Sequence, residues 1–108
     1  MKSKIILSID TSNQDTATVS LDIDGKKYKK TSQSRVMKAQ MVLPLIEAIF
    51  KEHALKLADI SEIRSHEGPG SFTGLRVGMS IANMLGDLLG VPINGKQPPV
   101  VLKYDKDW

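Results

Sequence analysis

Cysteine is absent from the 108 residues, which rules out a disulfide scaffold, a thiolate metal site and a cysteine nucleophile. Aromatic residues make up only 5% of the chain, so the interleaved rings on which single-stranded nucleic acid stacks are missing. The two histidines, His53 and His66, form no His-x-x-x-His pair of the kind that holds zinc on one helix face. No metal and no cofactor is expected. Long apolar runs are missing as well: nothing approaches the roughly 18 to 20 uninterrupted apolar residues of a membrane span. The start, "MKSKIILSID", carries an apolar stretch of about five residues, too short for the core of a signal peptide. A cytoplasmic protein with no membrane partner is expected. Charge of one sign is in small excess, 15 basic against 12 acidic residues for a net +3, and much of the surplus sits in "GKKYKK". Lys26, Lys27, Lys29 and Lys30 can touch phosphates, but a lysine-rich edge strand that resists sheet-to-sheet aggregation is the commoner use of such a run.

What is present suits one globular domain: 41% of residues are apolar and 25% charged, and the length allows one core but not two lobes of ordinary size. Residues 4–9 read as a strand that stops at the turn formers "DTSNQD". Residues 16–23 alternate, with Ala17, Val19, Leu21 and Ile23 on one face, and Asp24-Gly25 is a hairpin signal into a third strand over 26–34. Ser32 or Ser34 can cap a helix over 35–53, interrupted by Pro44. Residues 61–66 read as a fourth strand, 71–89 as a second long helix closed by Gly90, and "VPING" as a short fifth strand. The order predicts an α/β domain with a five-stranded mixed sheet and two long helices.

The segment "EGPGSFTGLRVGMSIANMLG", residues 67–86, invites a phosphate-loop reading. It fails as a Walker A loop, because Leu75 and Arg76 stand after Gly74 where Lys-Ser/Thr is needed. It fails as a dinucleotide fingerprint, because no acidic residue ends the following strand. Gly74, Gly78 and Ala82 instead recur every four residues and form a seam without side chains, which lets another backbone approach. Each interior glycine costs about 1 kcal/mol relative to alanine, so a packing reason is expected. Apolar residues cover more than half of this helix. The first helix shows two stripes, one with Val36, Ala39, Leu43, Ile46 and Phe50, the other with Met37, Met41, Leu45, Ala48 and Ile49. Spare apolar faces on both helices point to a partner.

Taken together, "ILSIDTS", the helix with "VLPLIEAIF", "GPGSFTGLRVG" and "GVPING" resemble, in this order over about residues 4–95, the N-terminal domain of the TsaB family, also called YeaZ. The resemblance implies one lobe of the actin-like, Hsp70-like ATPase fold (ASKHA, ribonuclease H-like). It implies a TsaB-like lobe over 1–97 and an atypical tail over 98–108, with the family's usual second lobe absent. It also implies a non-catalytic scaffold that binds a TsaD-like catalytic subunit, with a TsaE-like ATPase as a further partner, in making threonylcarbamoyladenosine on tRNA. Alone, such a chain is expected to dimerise, and to touch tRNA weakly or only through its partners.

The residues expected at the partner interface are Met37, Met41, Leu45, Ile49, Leu75, Gly78, Met79 and Ala82. A second candidate is a phosphate or ligand turn formed by Asp10, Thr11, Ser12, Gly68, Gly70, Ser71 and Arg76. Its plainer reading is an Asx or Ser/Thr turn at Asp10 to Ser12 and a helix cap at Ser71. No residue is assigned to catalysis. The alternatives are a nucleotide-binding or phosphotransfer lobe using that turn, and a homodimeric RNA-binding module using the four lysines.

Overall fold

Alternation builds much of the sheet, although Ile5, Ile6 and Leu7 are buried in succession. In β1 (Ile5–Asp10) and β2 (Thr16–Ile23), Ile5, Leu7, Ile9, Ala17, Val19 and Leu21 are buried. The antiparallel register sets Leu7 opposite Leu21 and Ile9 opposite Val19, so the period of two gathers the apolar residues on one face. This computed structural model describes residues 3–12, 16–33, 38–68 and 72–100. β2 turns into β3 (Lys26–Gln33) through Asp24 at φ 52° and Gly25 at φ 94°, the paired positive angles of a type I′ hairpin.

Helix α1 (Lys38–Glu52), a short 3-10 turn (Leu57–Asp59), β4 (Glu62–Ser65) and helix α2 (Phe72–Leu89) complete the element order. β4 lies parallel to β1, giving the strand order β3-β2-β1-β4. Parallel neighbours need a crossover, and α1 supplies it. Val42, Ile46, Ile49 and Phe50 of α1 are buried against the sheet, and this i, i+4, i+7, i+8 set is one stripe. The two opposed stripes expected for this helix are therefore corrected: Val42, counted in neither, is fully buried, while Leu43 is 45% exposed. Pro44 lies within α1 on its exposed side, and the helix continues through it.

Both helices end in the same motif. Ala54 at φ 54° follows α1, where the Leu55 N–H donates to the Phe50 carbonyl at 2.9 Å. Gly90 at φ 68° follows α2, where the Val91 N–H donates to the Gly86 carbonyl at 3.1 Å. These are left-handed closures that satisfy a last-turn carbonyl. No helix of the described residues is long and apolar enough to cross a membrane.

The expected fifth strand is corrected. The described residues form four strands, and "VPING" meets the sheet only at Ile93, which bridges Ile63 in parallel. The chain then reverses through Asn94 at φ 51° and Gly95 at φ 77°, with Ile93 and Lys96 exchanging hydrogen bonds of 2.8 and 2.9 Å. Asn-Gly favours this tight turn, so the strand stops after one ladder position. The Asn94 side chain occupies the next position: its Oδ1 accepts the Ser65 N–H at 2.9 Å and its Nδ2 donates to the Ser65 carbonyl at 3.0 Å. A side-chain amide thus stands in for a peptide group at the edge of β4.

Asn83 on α2 does the same for the chain beyond the turn. It accepts the Val100 N–H at 2.7 Å and donates to the Val100 carbonyl at 2.8 Å. Val100 is buried in the core. Asn83 thus ties the chain beyond the turn to α2.

Candidate functional site

The C-terminal ends of the parallel strands β1 and β4 meet the first turns of α2, where open α/β sheets commonly place ligands. Thr11, one residue past β1, is 1% exposed. Its hydroxyl donates to the Gly74 carbonyl and accepts the Gly78 N–H at 3.0 Å. These two backbone groups stand four residues apart, the spacing at which a helix pairs its own. A hydroxyl so used is anchored to the helix and is not presented to a ligand.

The glycine seam explains how the helix comes so close. A Cβ at Gly78 would lie 2.6 Å from Thr11 Oγ1, 3.2 Å from Ser65 Oγ and 3.3 Å from Ile9 Cγ2. A Cβ at Gly86 would lie 2.6 Å from Ile93 Cδ1. The seam therefore admits this chain's own sheet and hairpin. Ser65 is 5% exposed, and its Oγ is the buried side-chain oxygen without a hydrogen-bond partner among the described residues.

Asp10 forms the plainer of its two expected structures: its Oδ1 accepts the Ser12 N–H at 2.9 Å and the Ser12 hydroxyl at 2.6 Å, an Asx turn. Gly68 adopts φ 136°, and Arg76 is exposed on α2. Gly70 and Ser71 lie outside the described residues. The ligand turn is thus brought together only in its first part, and Thr11 within it faces the helix.

Five of the eight residues expected at the partner interface face the chain's own core. Ile49, Leu75, Met79 and Ala82 are buried in the chain's own core, Gly78 faces the sheet, and Leu45 is half-buried. Met37 and the Met41 side chain lie outside the described residues. Apolar side chains that do remain exposed on the helical layer are Leu43 at 45%, Met84 at 51% and Leu88 at 74%. Leu43 also lines a groove of about 440 Å³ with Phe50, Leu57 and Leu85. Met84 and Leu88 stand away from the small-residue seam, and their i, i+4 spacing is the signal in the sequence that places them on one face of α2.

The uncovered face of the sheet holds a second, polar groove of about 530 Å³, whose lining includes Ser8, Asp10, Ser20, Lys29, Arg64 and Asn94. Asn94 Nδ2 is within hydrogen-bonding distance of Glu67 Oε2 at 2.5 Å, fixing that carboxylate at the groove's end. Asn94 was legible in the sequence only as a turn former. Among the described residues, no three His, Asp or Glu side chains converge where they could hold a metal.

A family model described as "TsaD: tRNA N6-adenosine threonylcarbamoyltransferase" matches residues 35–95. The tRNA threonylcarbamoyladenosine biosynthesis protein TsaB of Buchnera aphidicola subsp. Baizongia pistaciae is 33% identical over 105 residues, covering 97% of this chain and 47% of that protein. TsaB of Escherichia coli K12 is 33% identical over 90 residues, covering 83% of this chain and 38% of that protein. The solved structure of YeaZ from Pseudomonas aeruginosa superposes with a TM-score of 0.77 at 27% identity, covering 83% of this chain and 42% of that one. These likenesses define the class first: an α/β fold of the actin-like kind, shared by the TsaD family model and the TsaB relatives. The chain belongs to the TsaB (YeaZ) family. It spans less than half the length of the curated relatives it matches here, 47% and 38%.

Proposed function

We propose that this chain works as a non-catalytic, cytoplasmic subunit in forming threonylcarbamoyladenosine on tRNA, docking a TsaD-like catalytic subunit on its helical layer. The supporting observation is the apolar edge of that layer: Leu43 on α1 and Met84 and Leu88 on α2 remain 45%, 51% and 74% exposed after the core is complete. Large apolar side chains left exposed on the helices are candidates for burial by a partner. Membership in the TsaB family supplies the reaction in which a partner is to be sought. The non-catalytic role is supported by Thr11, whose hydroxyl is engaged with α2, and by Asp10, whose Oδ1 closes its own turn.

The test is reconstitution. Unmodified tRNA is incubated with a TsaD-like subunit from the same source and the threonylcarbamoyl donor, with and without this chain, and the modified nucleoside is measured by mass spectrometry. Modification that depends on this chain and survives Asp10→Asn supports the reading. Modification unaffected by the chain, or lost in a folded Asp10→Asn variant, overturns it.

A further inference from the structure

The strand register aligns four polar residues in one row across the uncovered sheet face. Ser20 pairs with Lys29, Ser8 with Ser20, and Ser8 with Arg64. The row therefore runs Lys29, Ser20, Ser8, Arg64, one residue from each strand, at spacings of about 4.8 Å. All four line the polar groove of about 530 Å³. Its floor is two small hydroxyls on the central strands, and its walls are two long cationic side chains on the flanking strands. Among the described residues no helix covers this face, since α1 and α2 both pack on the other one.

We propose that this row is a binding site for a phosphate group, either of a small-molecule monoester or as free phosphate. Two serine hydroxyls donate from below while Lys29 and Arg64 close from either side, which suits a tetrahedral dianion with several acceptor oxygens. Glu62 Oε2 lies 3.3 Å from Arg64 Nε, so the Arg64 guanidinium is paired with a carboxylate through that nitrogen. Asp10 and Glu67 also line this groove, and each has one carboxylate oxygen engaged within the chain. Asp10 Oδ1 is turned to Ser12, and Glu67 Oε2 is turned to Asn94. The site adjoins the Asp10 to Ser12 turn, whose Asp10 lines the same groove, and does not depend on the docking of a protein partner.

The experiment is a titration of isotope-labelled protein by nuclear magnetic resonance, at constant ionic strength, with inorganic phosphate in one arm and ribose 5-phosphate in the other. Saturable shifts at Ser8, Ser20, Lys29 and Arg64 are expected, and the dissociation constant should rise at least tenfold in Arg64→Gln and in Lys29→Gln. Lys26→Gln, on the opposite face of β3, should leave it unchanged. Tighter binding in the ribose arm identifies a phosphate monoester as the ligand, and equal binding identifies free phosphate. Shifts that do not saturate in the wild type, or a folded Arg64→Gln variant that binds as well as wild type, overturn the proposal. The wild-type titration decides the matter even if a variant fails to fold.

Discussion

Thr11 accepts the N–H of Gly78 at 3.0 Å across the junction between the end of β1 and the interior of α2. The contact exists because Gly78 has no side chain: a Cβ there would stand 2.6 Å from the Thr11 hydroxyl oxygen. Gly78→Ala should therefore destabilise the protein by about 1–3 kcal/mol through overpacking, although alanine is the better helix former. Urea unfolding measures this. In the Thr11→Ala background the same change should cost less, because the nearest clash is gone; equal costs in both backgrounds would show that the two residues are uncoupled.

Ala54 occupies a left-handed conformation at φ 54° that a Cβ makes costly. It is exposed, so little packing is at stake. Ala54→Gly should raise stability by about 1 kcal/mol, net of the extra freedom glycine gives the unfolded chain. A fall in the urea midpoint would contradict the strained-closure account.

Asn94 stands in for a strand residue by pairing with both backbone groups of Ser65. Asn94→Asp keeps the shape and the acceptor but loses the donor and faces the Glu67 carboxylate. It should cost about 2–3 kcal/mol at neutral pH, with part of the loss recovered on acidification as a carboxylate gains its proton. A pH-independent loss would remove the charge argument.

Asp24 Oδ1 accepts the Lys4 N–H at 2.8 Å, and this bond, with a smaller contribution from the Ser3 side chain, lowers the Asp24 pKa below its ordinary value. A carboxylate depressed in the folded state adds stability that is fully present above its unfolded pKa of 3.8 and is lost as pH falls through the lower folded value. The Asp24 carboxyl carbon should titrate by nuclear magnetic resonance below 3.8, and the Asp24→Asn variant should lack this part of the acid dependence. A midpoint at or above the ordinary value would contradict the role of the Lys4 contact.

Local signals carried far in the sequence. The alternation of Ala17, Val19 and Leu21 and the Asp24-Gly25 turn led directly to β2 and its hairpin, because each depends on neighbours in the chain. Gly78 was legible as a close-packing residue, but not what packs there. Thr11 lies 67 positions away, and a seam accepts a sheet as readily as a partner's helix. Asn94 and Asn83 were illegible for a similar reason: an amide that replaces a peptide group is recognised only when the distant backbone it pairs with is known. The exposed pair Met84 and Leu88 emerged by subtraction, after the core had taken Leu75, Met79, Ala82 and Leu85.

The most direct measurement is calorimetric binding of the TsaD-like subunit from the same source to wild type, Met84→Glu/Leu88→Glu and Lys26→Gln. Both altered side chains of the double variant are exposed, so its circular dichroism should match wild type. The expected result is binding by wild type and by Lys26→Gln, weakened at least a hundredfold in the folded double variant, as for the loss of central apolar anchors. A double variant that binds as tightly as wild type would contradict docking through the apolar edge of the helical layer, and no binding by wild type would contradict the partner-subunit reading itself.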